Sequence, residues 1–279
     1  MHMEYFCINC LSSQITEAIE MVIPEWEKRR ELMRKIVNLI NKNYPEIIPA
    51  FLGSELHCIV RDFSGRDPYM EIKKISNSLA KEVINQVGRN LSDFRSLVLA
   101  CIASNAIDFG ISTQKDAMYK LQDIINEPLV IDNYNSFYKQ IKKAKTIIYL
   151  VDNCGEVVFD LAVIKMLSKM DKHVFAVAKE KTLLNDATVQ DLKELGFNKY
   201  STMISHGLDL VGLNRKTMSK QLKIIWSKSD LIIAKGMGYY ETLYPPEKNE
   251  KIAFLLKAKC KPVAYNLKVE VGANVLLFP

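Results

Sequence analysis

No stretch of the 279-residue chain approaches 18 consecutive apolar residues, which excludes a membrane-crossing helix. The start, Met1-His2-Met3-Glu4-Tyr5, lacks a basic region followed by an apolar one, so no secretory leader is expected. Cysteine is scarce: Cys7, Cys10, Cys58, Cys101, Cys154 and Cys260 are too scattered for a disulfide scaffold. Without a leader they are expected to be reduced, in a cytoplasmic protein. No dense basic run, internal repeat or low-complexity segment occurs. Neither nucleic acid nor a membrane is therefore an expected partner, and no feature bears on oligomeric state.

What remains is the composition of a globular protein, with 48% apolar and 25% charged residues, enough to bury a sizeable core without staples. The formal net charge of +6 is unevenly placed. Residues 1–143 carry 18 basic and 18 acidic side chains, whereas 144–279 carry 20 and 14. The whole surplus lies in the second half, where it suits an anionic ligand.

The two halves differ in periodicity. In the first, Ile15, Ile19, Val22 and Ile23 keep a 3.6-residue spacing, with Pro24 at a helix end. Leu32, Ile36, Leu39 and Ile40 repeat it, and Ile72, Ile75, Leu79, Val83 and Val87 form another stripe. Leu91 to Ala106 is nearly all apolar and predicts a buried helix, and a further helix is expected over 119–125. In the second half short β-branched runs alternate with amphipathic helices. Strands are predicted at 146–151, 173–178, 200–204 and 231–234, with helices at 157–170, 189–195 and 216–226 and shorter elements at 253–257 and 262–266. The expectation is an all-helical N-terminal domain, residues 1–143, and a Rossmann-like, three-layer α/β/α domain with a parallel sheet, residues 144–279.

In such sheets ligands bind beyond the carboxyl ends of the strands. The first predicted strand is followed by Asp152-Asn153-Cys154-Gly155-Glu156, the second by Asn185-Asp186-Ala187-Thr188, and the fourth by Lys235-Gly236-Met237-Gly238 with Glu241 close behind. Asp152, Asn153 and Asp186 offer two carboxylates and an amide carbonyl, hard oxygen ligands suited to Mg²⁺ or Mn²⁺. Gly155 lets backbone approach a ligand, and the helix start beyond it offers free N–H groups to an anion. Lys235, in a loop kept thin by Gly236 and Gly238, adds positive charge; metal, amides and lysine together suit a phosphoryl group. Asp186 fits equally the plainer role of a helix N-cap. Asn105 and Asp108 share one face at the end of the buried helix, as a polar network or as a border of the site. Cys7-x-x-Cys10 is a single pair, lacking the second pair or spaced histidines of a zinc site. His57, Arg61 and Asp67-Pro68-Tyr69 form a possible polar cluster, and His206-Gly207 follows the third strand.

These pieces, in this order along nearly the whole chain, resemble the domain-of-unknown-function 89 family, the metal-dependent damage-control phosphatases, and within it the subfamily with an N-terminal CxxC. The segments that carry the resemblance are Cys7-x-x-Cys10, Arg61 with Asp67-Pro68-Tyr69, Asn105-x-x-Asp108-Phe109-Gly110, the three strand-end clusters through Glu241, and Leu255-Leu256-Lys257-Ala258-Lys259-Cys260. The resemblance implies a divalent cation (Mg²⁺, Mn²⁺, Co²⁺ or Ni²⁺) held by Asp152, Asn153 and Asp186. It implies hydrolysis of phosphate monoesters of small metabolites, such as sugar phosphates. On that reading Asp152, Asp186 and Lys235 are catalytic. Asn105, Asp108, Gly155, Glu156, Gly236, Gly238 and Glu241 contact substrate, and Cys7 and Cys10 remain a candidate second metal or redox pair whose role stays open. Two positions depart from the family: Cys154 stands where alanine is common, and Tyr239 where asparagine is usual. The rival readings are an S-adenosylmethionine-dependent carboxyl methyltransferase and a non-enzymatic metal- or redox-binding protein. A methyltransferase usually carries a glycine-rich turn after its first strand, and here only Gly155 is present.

Overall fold

A computed structural model of the chain describes residues 2–88, 91–107 and 112–279. Helices come first: α1 (Tyr5–Val22), α2 (Trp26–Asn43), α3 (Pro49–Ser64), α4 (Met70–Val87), α5 (Phe94–Ser104) and α6 (Gln114–Asn126). Pro24 lies between α1 and α2, and Pro49 opens α3, where its missing N–H is harmless. Asp93 and Ser96 cap α5 reciprocally, which starts that helix three residues later than the apolar run begins. The stripe expected on α4 is shifted. Ile75 is 52% exposed, whereas Lys73 is buried and reaches Asp191 at 2.7 Å, so an ion pair sets which face turns inward.

Strands and helices then alternate: β1 (Leu129–Asp132), α7 (Tyr134–Lys143), β2 (Thr146–Leu150), α8 (Glu156–Lys169), β3 (His173–Ala178), α9 (Val189–Leu195), β4 (Thr202–Ser205), α10 (Lys220–Trp226), β5 (Leu231–Lys235), α11 (Gly236–Leu243), β6 (Ile252–Lys257), α12 (Lys261–Leu267) and β7 (Asn274–Leu277). Among the described residues seven strands form one mixed α/β sheet, in the order β1-β7-β6-β5-β2-β3-β4. All neighbours are parallel except β6 and β7. The sheet takes β1 from ahead of residue 143; β1, at one edge, and β7 beside it are only four residues each.

Side chains alternate across the sheet into two layers. From β2, Ile147 and Tyr149 join the core under α4 to α9, while Ile148 and Leu150 join the core under α10 to α12. Both faces are thus dry, which explains the unbroken apolar run of the strand. Each such buried aliphatic contributes about 1.5–3 kcal/mol. A third core joins α1, α2 and α3. From β2 the chain steps outward to β3 and β4, then returns to place β5 on the other side of β2. The loops after β2 and β5 therefore leave side by side but enter helices on opposite faces, opening a crevice between them.

Candidate active site

The loops after β2 and β3 are zipped together by backbone. Cys154 N–H donates to the Asn185 carbonyl at 2.8 Å, and Ala187 N–H to the Asp152 carbonyl at 2.9 Å. Asn153 and Asp186 thereby form an antiparallel bridge outside the main sheet. Two acidic residues 34 positions apart in sequence are fixed by main-chain bonds rather than by their own side chains. Asp186 is not a cap: Thr188 caps α9 in a capping box with Asp191.

β5 brings the third cluster against them. Gly236 has φ +79°, and a Cβ there would run into the Asp152 carboxylate. Only glycine combines that backbone with that approach. Asp152 and Asp186 are both buried. Burial first, then the charges of Glu156 and Asp186, hold the Asp152 carboxyl well above its usual range. Burial also raises Asp186, against the opposing pull of Lys179. Lys179 Nζ pairs with Asp186, yet Asp186 Oδ2 receives no well-formed hydrogen bond.

Asn105, at the end of α5, joins the site as a hinge of polar contacts. Its amide donates to Glu156 Oε2 at 2.8 Å and Oε1 at 2.9 Å, and stands 3.4 Å from Asp152 Oδ2. Asn153 also donates to Glu156, at 2.9 Å, which leaves its carbonyl oxygen as the donor available to a cation. The expectation for Asp108 lies outside the described residues.

A cavity of about 980 Å³ lies over the acid pair. Asp152, Asn153, Asp186, Asn105, Gly238 and Glu241 line it, with Cys7 and Cys10. Lys235, Glu156, Gly155 and Gly236 lie behind that wall. Lys235 is fully buried, donating to the Cys101 carbonyl at 2.9 Å and lying 3.4 Å from Asp160 and 3.7 Å from Glu156. It neutralises carboxylates under the site instead of facing the cavity, because β5 turns it towards α5 and α8. The Gly155 N–H is taken by Asn77 Oδ1 at 2.7 Å. Gly155 thus serves the turn, at φ +86°, and its amide is not free for an anion. Burial pushes the Glu241 carboxyl up to about 7, and it accepts from the Ala50 backbone.

The remaining sequence candidates separate. Tyr69 lines the cavity, with His57 packed edge-on to it at 5.9 Å between ring centroids. Arg61 binds the Thr182 carbonyl at 3.0 Å and Asp209 at 3.2 Å, tying α3 to two loops. His206 is buried, with Nδ1 accepting from Leu208 N–H, and burial holds its imidazole neutral, near a pKa of about 3. Sequence reasoning missed Lys179, whose one signal is a lysine directly after an apolar strand. It missed also Asn77, and it gave Lys259 and Cys260, part of the tail that carries the resemblance, no place in the site, though both lie on the cavity wall. All six cysteines are free.

The donor set fits a hard divalent cation. It offers two buried carboxylates, each raised by desolvation, of which Asp186 is shared with Lys179, and one amide carbonyl. Among the described residues no three His, Cys, Asp or Glu side chains form a metal cluster, and here the third ligand is an amide. Fold and site together define an α/β protein with an acidic pocket at the carboxyl edge of its sheet.

The comparisons give that class its family. The model for the damage-control phosphatase ARMT1-like domain matches residues 3–275, and the chain belongs to that family. A damage-control phosphatase of Pyrococcus horikoshii is 36% identical, over 99% of this chain and 98% of its own. An uncharacterized protein of Methanocaldococcus jannaschii is 35% identical, over 97% and 93%. The crystal structure of a DUF89 family protein from P. horikoshii superposes with a TM-score of 0.95 at 35% identity, covering 100% of this chain and 99% of that one.

Proposed function

We propose that this chain is a metal-dependent phosphatase that hydrolyses phosphate monoesters of small metabolites in metabolite damage control. The observation that carries the reading is the pair Asp152 and Asp186, pinned by backbone bonds on the floor of a cavity large enough for a sugar phosphate. The relatives named damage-control phosphatase support it.

Asp152, Asp186 and Asn153 are assigned as the residues that hold the cation. When bound, a divalent cation supplies Lewis-acid polarisation of the phosphoryl group and a nucleophile at neutral pH. The chain's own contribution is order and charge. Asn105 and Lys235 fix Glu156, and Glu156 in turn holds the Asn153 amide. Lys179, paired with Asp186, opposes the burial that raises its carboxyl. Lys259, exposed on the cavity wall, is assigned the positive charge that meets the substrate phosphate, in place of the buried Lys235. The wall formed by α1 and α3 then encloses the ester's organic part.

The test is phosphate release from a panel of phosphometabolites with Mg²⁺, Mn²⁺, Co²⁺ or Ni²⁺ and a chelator control. Turnover that needs metal supports the reading. Absence of turnover with every metal and every ester, or methyl transfer from S-adenosylmethionine instead, rejects it.

A further inference from the structure

The stripe of α1 that faces the cavity is Cys7, Cys10, Gln14, Glu17 and Met21. It recurs every three or four residues, so one side of that helix roofs the cavity along most of its length. From Phe6, at one end of the lining, to Glu17 is about 16 Å of helix at 1.5 Å per residue. The two ends differ in charge. At the Phe6 end, Lys261 Nζ lies 4.5 Å from the Phe6 ring centroid, and Lys259 stands two residues earlier on the same loop. The acid pair is tied to these lysines: Gly236 packs on the Asp152 carboxylate, and the next residue, Met237, accepts from the Lys259 N–H through its sulfur at 3.2 Å. Glu17 and Met21 mark the other end, where Tyr69 and Ile72 at the start of α4 complete the wall.

Apart from the acid pair and Glu241, the charged side chains lining the cavity among the described residues are Glu17, Lys259 and Lys261. Glu241 acts on the thiols of Cys7, Cys10 and Cys260, at the lysine end, and burial pushes its carboxyl up to about 7, so it is only partly charged at neutral pH. Glu17 is the anion of the far end, and it is not neutralised. Glu25, Glu27 and Glu31 nearby each have a lysine or arginine within 4 Å, whereas among the described residues no cation comes that close to Glu17. Ser13 Oγ donates to its Oε1 at 3.4 Å, which leaves Oε2 unbonded. Three residues earlier, Gln14 donates its amide to Cys10 Sγ at 3.6 Å and keeps its carbonyl oxygen as an acceptor. The far end thus offers acceptors and a negative charge between apolar walls, with no cation.

We propose that Glu17, supported by Gln14, is the specificity-determining residue of this pocket: it contacts the end of the substrate away from the phosphate and selects esters bearing hydroxyl or ammonium groups there over esters bearing a second phosphate or carboxylate. The inference rests on the phosphatase reading above and names its substrate class. A phosphate monoester placed with its phosphoryl group at the acid pair and Lys259 extends its organic part under α1 towards Glu17. A hydroxyl or ammonium group can donate to that carboxylate, whereas a second anion meets a like charge with no cation to offset it.

The test uses the full-length, Mn²⁺-loaded protein with four esters: phenyl phosphate, a hexose monophosphate, an aminohexose monophosphate and a hexose bisphosphate. For each, kcat/KM is measured, or the inhibition constant against phenyl phosphate where there is no turnover. Wild type is expected to prefer the aminohexose ester to the hexose ester, and the hexose ester to the bisphosphate, by about threefold to fivefold at each step. Glu17→Lys should reverse the order, placing the bisphosphate first, and Glu17→Gln should flatten it. Phenyl phosphate, which has no charged group at its far end, should keep its kcat/KM within about twofold in both variants. Raising the salt to about 1 M should shrink the wild-type preference. An order unchanged in Glu17→Lys, or a wild type that prefers the bisphosphate, would overturn the selection. So would an equal loss on all four esters, which would make Glu17 a structural residue. A wild type that releases phosphate from none of the esters, phenyl phosphate included, overturns the phosphatase reading itself and this selection with it, an outcome visible before any variant is made.

Discussion

The backbone N–H of Ala187 donates to the carbonyl of Asp152 at 2.9 Å. That bond, with its neighbour between Cys154 and Asn185, sets Asp152 beside Asp186 whatever their side chains do. The two carboxylates repel, and both are desolvated. The fold therefore holds them at an energetic cost that a bound cation would relieve.

Asp152→Asn removes one of the two like charges while leaving the backbone bridge intact. The metal-free variant is expected to melt about 2–4 °C above wild type, and the stabilisation by added Mn²⁺ should be lost. Thermal melts with chelator and with Mn²⁺ check both. A variant less stable than wild type in chelator would contradict the repulsion.

Gly236→Ala places a side chain against the Asp152 carboxylate at a φ of +79°. A loss of about 3 kcal/mol or more in unfolding free energy is expected, together with loss of activity. Gly65→Ala is the control: its φ is +64° with nothing within 4 Å, so only the backbone term of about 1–2 kcal/mol should appear. Urea titration of the two variants gives the comparison, and equal costs would refute the close approach.

The two lysines should separate in opposite ways. Lys235→Met leaves Glu156 and Asp160 buried without their counter-charge, and about 3–5 kcal/mol of stability should go with it. Lys259→Ala, on an exposed side chain, should change stability by less than about 1 kcal/mol yet raise KM for a phosphate ester several-fold. Denaturation and steady-state kinetics on both variants test the assignment; a stability loss in Lys259→Ala matching that in Lys235→Met would reverse it.

Glu241 carries a pH signature. Its carboxyl is raised from 4.5 to about 7 by burial. For an acid with a raised folded pKa, stability is fully present below the unfolded value and is lost as pH climbs to the folded one. The metal-free protein should thus lose stability between about pH 4.5 and 7 and lose no more from this group above it. Glu241→Gln keeps an acceptor for the Ala50 N–H and removes the titration. Its melting temperature should pull ahead of wild type across that window and then run parallel; a gap independent of pH would contradict the burial.

Much of this site was legible because strand ends announce themselves. Asp152 and Asn153 directly follow an apolar run, and parallel strands bring such positions to one edge; Asp186 lies further along the loop after β3 and is returned there by its bridge to Asn153. What was not legible is direction. Lys235 ends a strand like the acids do, but the face to which its long side chain turns depends on α5 and α8, hundreds of ångströms of chain away in any extended reading. Lys73 and Asn77 occupy helix positions that a 3.6-residue period assigns to solvent, and each is turned inward by a partner, Asp191 or Gly155, in the other half of the chain. β1 and β7 are too short to show an alternation. Lys179 was hidden by its company: a lysine after Ala178 reads as a strand's exit into water until Asp186 folds back over it.

The most direct test of the account is phosphate release from a phosphate monoester by metal-stripped and Mn²⁺-restored protein, for wild type and Asp152→Asn side by side. The account predicts turnover only in the restored wild type, with Asp152→Asn at least about 10³-fold lower. Turnover that survives the chelator, or an Asp152→Asn variant as active as wild type, would contradict it.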